Sequence, residues 1–150
     1  MIYYEYTITV SGGTSKLNKD IYLYKNNRNI DYYFDIKEAQ FNFSEQSIGD
    51  ITQYVGATEG QLKLMKSDGT GKKLMTGRIA VSNAPTRQGM IHFRILEELI
   101  DEDVEIGDYD FQIDLFDDED GRITIPPVLG QLHILDPIFD DGEQDENYSN

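Results

Sequence analysis

The sequence predicts an all-β protein, an antiparallel β-sandwich, from two observations. Apolar and polar residues alternate with a period of two in short segments along most of the chain, which is the pattern of half-buried strands. Turn-forming Gly, Asp and Asn residues separate these segments at the short spacing typical of sandwiches. The chain has 150 residues, which is the size of one domain with a substantial core.

The first part of the chain contains three predicted strands. Ile2–Val10 alternates throughout, so its odd- and even-numbered residues face opposite sides of a sheet, and Gly12–Gly13 ends it. Ile21–Tyr24 and Ile30–Asp35 are short and rich in β-branched and aromatic residues, which favour strands. The turn-forming segment Asn26–Asn29 separates them.

A hairpin and one further strand are predicted in the middle of the chain. An alternating segment from Gln61 leads into the turn Ser67–Gly71, and Lys73–Val81 is the returning strand. Met90–Leu96 alternates again and predicts a separate strand. Ile36–Gly56 fits both a strand and a helical turn, so the sequence leaves this segment unassigned.

The stretch FDDEDGRITIP has two interpretations, a turn and a calcium loop. It joins the alternating segments Tyr109–Leu115 and Arg122–Ile125, and an Asp-Gly step there indicates a hairpin because both residues tolerate positive φ. A calcium loop with Gly121 at its sixth position would place Phe116 and Pro127 where oxygen ligands are needed. We therefore favour the turn and expect no stabilisation by calcium, with a cation site as the alternative.

The C-terminal part of the chain contains a last predicted strand and an acidic end. Leu132 and Ile134 mark the strand, which closes a predicted domain at residues 1–138. Residues 139–150 offer almost no apolar side chains to bury, so we expect an acidic disordered tail or linker. The N-terminal segment lacks the basic and hydrophobic regions of a signal peptide, and we expect a soluble protein.

The charge of the chain is distributed unevenly. Its formal net charge is −15, and residues 97–150 hold nineteen acidic side chains and one basic side chain, Arg122. Such an acidic surface repels phosphate groups, so we expect neither nucleic-acid binding nor docking to an anionic membrane. The acidic part either forms a solvated face or attracts a basic partner.

Candidate catalytic and metal-binding residues are few. The chain contains no cysteine, which excludes disulfides and thiolate metal sites. His92 and His133 lie at outward positions of predicted strands without a ligand motif, so we interpret them as surface residues. The sequence contains no nucleophile elbow, phosphate-binding loop or dinucleotide fingerprint. We predict that the protein is not an enzyme and binds neither a cofactor nor a metal.

The ten tyrosines include candidates for a partner-binding surface, since tyrosine is enriched where proteins recognise partners. Two adjacent pairs lie on predicted strands, so one member of each pair points away from the core. The candidate partner-binding residues are Tyr3, Tyr4, Tyr32 and Tyr33. The alternatives are that the outward rings cover cross-strand neighbours, or that they bind a sugar, although the chain has no tryptophan for this purpose.

Four motifs occur in a defined order along the chain. They are GQLKLMKSDGTGKKL, QGMIHFRIL, IGDYDFQIDLFDDEDGRITIPP and GQLHIL. In this order they resemble the N-terminal domain of the phage baseplate upper protein family, found in tailed phages and prophages of low-GC Gram-positive bacteria. The family's characteristic positions correspond to Gly107, Tyr109, Arg122, Thr124 and Pro126. The resemblance covers about residues 16–136.

This resemblance implies a β-sandwich of immunoglobulin-like character in a non-enzymatic part of the virion. It implies an adaptor that attaches host-recognition proteins to the central tail hub. The expected partners are the phage tail-hub (distal tail) protein and receptor-binding proteins. We expect a protein made in the host cytoplasm and located in the tail baseplate. The isolated domain is expected to be monomeric, and a longer parent protein trimeric.

A second hypothesis is a carbohydrate-binding accessory domain that acts at the host cell surface. The outward tyrosines favour it, because aromatic rings stack on sugars, and the absence of tryptophan weighs against it.

Overall fold

The computed structural model contains two β-sheets that pack face to face as a sandwich. It describes residues 2–41, 46–50, 57–99, 104–119, 121–126 and 128–137. The strands of the first sheet are β1 (Ile2–Ser11), β2 (Thr14–Leu17), β4 (Ile30–Phe41), β5 (Gln46–Asp50), β9 (Ile91–Phe93) and β12 (Val128–Leu129). The strands of the second sheet are β3 (Ile21–Tyr24), β6 (Glu59–Lys66), β7 (Leu74–Met75), β8 (Ile79–Ala80), β10 (Gly107–Phe116), β11 (Arg122–Thr124) and β13 (Leu132–Leu135). One helical turn, α1 (Ile95–Glu98), follows β9.

Both sheets are mixed, which corrects the prediction of an antiparallel sandwich. In the first sheet, β1 pairs with β4 and β2 pairs with β12 in parallel, and in the second sheet β3 pairs with β13 in parallel. The chain reaches β4 from β1 through β2 and β3, which lie in different sheets, and this long connection permits the parallel pairing. The immunoglobulin-like character stays a prediction.

The core lies between the inner faces of the two sheets. Alternate residues of β4 and β10 point into it, as the period of two requires. Phe34 of β4 is fully buried and contacts Phe93 and Phe111, with ring centroids 5.8 and 6.4 Å away. Since Phe111 lies on β10, this contact joins the two sheets.

The structure confirms the hairpin in the middle of the chain and corrects the strand that follows it. β7 and β8 both pair with β6, but Thr76 interrupts the returning strand because its hydroxyl accepts a hydrogen bond from the Leu62 amide. The strand predicted over Met90–Leu96 ends at Phe93, and the next residues form α1. In the segment left unassigned, β4 extends to Phe41 and β5 follows.

The strands on either side of the DDEDG segment pair with each other, as predicted. β10 and β11 are antiparallel, with Leu115 opposite Ile123. The Asp117 carboxylate accepts hydrogen bonds from the amides of Glu119 and Gly121, at 3.0 and 2.7 Å. Gly121 is not among the described glycines with positive φ, so the positive φ expected at this Asp-Gly step is not found at Gly121. The predicted tail, residues 139–150, lies outside the described residues.

Candidate partner-binding surface

The parallel pairing of β1 with β4 brings the four candidate tyrosines together at one end of the first sheet. Tyr4 lies opposite Tyr32, and Tyr33 lies opposite Glu5, diagonal to Tyr3. Tyr3 and Tyr4 are 49% and 43% exposed, and Tyr33 is half-buried on the outer face. Tyr32 is 3% exposed and belongs to the core, where a partner does not reach it. The surface therefore contains three of the four predicted residues.

On the outer face of the first sheet, the guanidinium of Arg87 packs against two of these tyrosines. The Arg87 guanidinium carbon lies 4.6 Å from the centre of the Tyr3 ring and 4.4 Å from that of Tyr33. His92 stacks on Tyr33 at 4.7 Å, and Glu5 lies 3.7 Å from Arg87 Nε. We call these five residues the Arg87 cluster. Cation–π contacts keep its rings in fixed orientations and leave their edges accessible.

A buried carboxylate, that of Asp31, fixes the position of one member of the Arg87 cluster. Asp31 is 2% exposed, and its Oδ1 lies 2.7 Å from His92 Nε2 and 2.9 Å from Arg94 Nε. Burial alone raises the pKa of Asp31, but the hydrogen bonds from Arg94 and His92 outweigh it, so the pKa is lowered. The ionised carboxylate thus fixes the position of the His92 ring on which Tyr33 stacks.

On the inner face, Tyr4 is the exposed end of a row of stacked rings. Tyr32 lies 5.8 Å from Tyr4 and 6.3 Å from Tyr6 between ring centroids. Burial, followed by the neighbouring Tyr4, raises the pKa of Tyr6 to about 12, so this phenol stays neutral. Tyr4 therefore extends the row of stacked rings from the core to the surface.

A cleft of about 550 Å³ opens beside Tyr4 at the side of the sandwich. Its lining residues are Tyr4, Tyr6, Lys19, Asp20, Tyr22 and Tyr24. Tyr22 and Tyr24 are 57% and 44% exposed, and the Lys19 ammonium lies 5.2 Å from the Tyr6 ring. The sequence contained the signal for these two tyrosines, since they alternate with the buried Ile21 and Leu23. The sequence pattern did not identify Arg87, because this residue lies outside the strands and belongs to no alternating segment.

His133 lies next to this cleft, between two carboxylates. Its Nδ1 is 2.6 Å from Asp108 Oδ1, its Nε2 is 3.0 Å from Asp20 Oδ2, and its ring stacks on Tyr22 at 4.8 Å. The hydrogen bonds to Asp108 and then Asp20 raise the pKa of His133. The hydrogen bond from His133, followed by that from the Gln131 amide, lowers the pKa of Asp20. Protonated His133 therefore links the loop before β3 to β10 and β13.

This arrangement predicts a stability that depends on pH. Because the pKa of His133 is raised in the folded state, its contribution is full below about 6.5, the usual pKa of histidine. The contribution is lost as the pH rises through the raised value. His133→Gln removes the titrating group, so we expect the variant to lose this part of the pH dependence. Urea unfolding at a series of pH values from about 6 to 9 measures both proteins.

Asp108→Asn serves as the control, since it removes the first of the two carboxylate partners and keeps the histidine. We expect it to weaken the pH dependence without removing it. A His133→Gln variant that keeps the wild-type slope would show that another group titrates.

Among the residues that the structure describes, no group of three His, Cys, Asp or Glu side chains is placed to hold a metal ion. Asp120, which a cation site at the DDEDG turn would use, lies outside them. Within the same residues, no helix has the length and apolar character needed to cross a membrane.

The fold is shared with a solved phage protein domain. The N-terminal domain of phage TP901-1 ORF48 superimposes on this chain with a TM-score of 0.52 and 10% sequence identity. The match covers 91% of this chain and 100% of that domain. A scan against protein-family models found no match, and a search of curated proteins found none.

ORF48 is a phage baseplate protein. At 10% identity the likeness shows a common fold, and it extends over nearly the whole chain. The expectation of a domain with the fold of a phage baseplate protein is thereby supported in its general form. The roles of single residues rest on the geometry described above.

Proposed function

We propose that this domain is a structural adaptor of a phage or phage-tail-like baseplate, which attaches host-recognition proteins to the central tail hub. The shared fold with the N-terminal domain of phage TP901-1 ORF48 carries this proposal, and the ordered sequence motifs support it. The domain works by docking, within a sandwich of immunoglobulin-like character, and performs no catalysis. Its place is the tail baseplate of the virion, after synthesis in the host cytoplasm.

The Arg87 cluster and Tyr4 have the properties of a protein-docking surface. Tyrosine and arginine are enriched among the residues that dominate interface energies, because they offer large contact areas with polar edges. Here Tyr3 and Tyr4 are exposed, and stacking already holds their rings in place. A partner therefore loses little conformational entropy of these side chains on binding.

The charge of the chain favours a basic partner. A net charge of −15 attracts a positively charged surface and repels nucleic acid and anionic membranes, which we do not expect as partners. The proposed partners are the tail-hub (distal tail) protein and receptor-binding proteins, and the isolated domain is a monomer. Salt should slow the association more than it speeds dissociation, because exposed charges act mainly on encounter.

Co-purification with the tail proteins encoded beside this chain tests the adaptor role. We expect a complex with the distal tail protein, and about tenfold or greater weakening by Tyr3→Ala, Tyr4→Ala or Tyr33→Ala. Met75→Ala is the matched control, since Met75 is exposed on β7, at the end of the second sheet opposite β3 and its cleft. Circular dichroism and melting confirm that each variant folds.

A carbohydrate-binding domain is the second candidate, and the cleft lined by Tyr4, Tyr22 and Tyr24 favours it. Exposed rings beside a lysine and an aspartate offer both stacking and hydrogen bonding to a sugar. A domain that binds none of the tail proteins of its own phage but binds a cell-wall glycan would establish this function and refute the adaptor.

A further inference from the structure

One edge of β1 is covered over only part of its length. β2 pairs with β1 from Ile8 to Ser11, and Asn18 extends this coverage by one residue. The Asn18 amide donates to the Thr7 carbonyl at 3.0 Å, and the Thr7 amide donates to Asn18 Oδ1 at 3.1 Å. The chain then turns away into β3, which belongs to the other sheet. No described residue pairs with this edge of β1 before Thr7.

The backbone groups that face the open edge follow from the alternation of a strand. Successive residues direct their N–H and C=O groups to opposite edges. Thr7 directs both groups to the β2 side, so Tyr3 and Glu5 do the same, whereas Tyr4 and Tyr6 face β4. Two N–H and two C=O groups in a row thus have no backbone partner among the described residues. An extended chain is the structure that satisfies such a row.

The open edge lies between two aromatic surfaces. Tyr3 and Arg87 stand on the outer side of the sheet, and Tyr4 stands on the inner side next to the cleft with Tyr22 and Tyr24. A strand added at this edge would place alternate side chains against these two surfaces. The edge and the tyrosines therefore form one continuous site.

We propose that an extended segment of a partner protein pairs with β1 at Tyr3 and Glu5 and adds a strand to the first sheet. This inference rests on the proposed adaptor function and specifies how the partner docks. Apolar or aromatic residues at alternate positions of the segment pack on the tyrosines on either side of the edge. A second copy of this chain is disfavoured as the occupant, since both copies carry a charge of −15.

Hydrogen exchange and one proline variant test this mode of docking. The probe is the purified distal tail protein encoded beside this chain. On complex formation we expect the amides of Tyr3 and Glu5 to exchange at least about tenfold more slowly, as measured by NMR. Glu5→Pro removes the outward N–H without breaking a hydrogen bond to β4, so the fold should persist while binding weakens about tenfold or more.

Glu5→Ala is the matched control, because it removes the same side chain and keeps the amide; it should bind clearly better than Glu5→Pro. A complex in which the Tyr3 and Glu5 amides keep their exchange rates overturns this inference and leaves the adaptor role intact. Absence of a complex with any tail protein refutes the adaptor role, and the inference with it. If the domain binds no tail protein but binds a cell-wall glycan, and these amides are not protected, both the adaptor role and the inference are refuted.

Discussion

Replacing Phe34 by alanine is expected to lower the free energy of unfolding by about 3–5 kcal/mol. The side chain is fully buried, and its ring lies within 6.4 Å of the rings of Tyr6, Phe93 and Phe111, measured between centroids. Truncation removes contacts on both sheets and leaves a cavity that rigid strands fill only in part. A loss of this size is a large part of the stability of a single domain. Urea unfolding followed by circular dichroism measures it.

Tyr24→Ala is the control for Phe34→Ala, because it truncates an aromatic ring on the surface. We expect a change within about 0.5 kcal/mol, as for most surface substitutions. If Phe34→Ala also stays within this limit, the contact between the sheets contributes little to the free energy of unfolding. In that case Phe34 does not pack against Phe111 as described.

The sequence was sufficient to predict some of the local elements, whereas β2 and β12 were not predicted. Alternation located β1, and turn residues located the hairpins at Ser67–Gly71 and at the DDEDG segment. These features depend on residues that are close in the chain, so their pattern carries the information. Alternation also separated Tyr3 from Tyr4, which lie on opposite faces of the sheet.

The sequence pattern did not predict which residues far apart in the chain become neighbours in the fold. A period of two identifies which residues share a face, but not which strand lies alongside or in which direction it runs, so the parallel pairing of β1 with β4 was missed. The Arg87 cluster depends on that pairing and on a loop residue far along the chain. The burial of Asp31 beneath His92 and Arg94 is likewise a product of the assembled sheet.

The same pairing explains why a candidate docking site lies at the end of the first sheet. β1 is long enough to span β4 almost completely, while the four-residue β2 covers only its C-terminal part. The difference in length leaves an open edge, and the tyrosines lie at that edge. A fully covered β1 would present the same rings without backbone groups to pair with.

Replacing Lys63 by methionine is expected to cost about 3 kcal/mol of the free energy of unfolding. Lys63 Nζ donates to Asp114 Oδ2 at 2.6 Å, and the Asp114 side chain is 1% exposed. Its other oxygen, Oδ1, is buried and has no hydrogen-bond partner among the described residues. Methionine keeps the length of the side chain and removes the charge, so a buried carboxylate loses its counter-ion. Urea unfolding at neutral pH measures the cost.

Lys66→Met is the matched control, since Lys66 lies on the same strand and pairs with Glu105, which is 67% exposed. Water hydrates the exposed carboxylate when its partner is removed, so we expect a cost of about 1 kcal/mol or less. The double variant Lys63→Met/Asp114→Leu should recover most of the stability, because replacing a buried ion pair by apolar residues is often neutral. If the double variant is no more stable than Lys63→Met, the cost does not come from a buried carboxylate without its counter-ion. In that case the charge of Asp114 is not what Lys63 compensates.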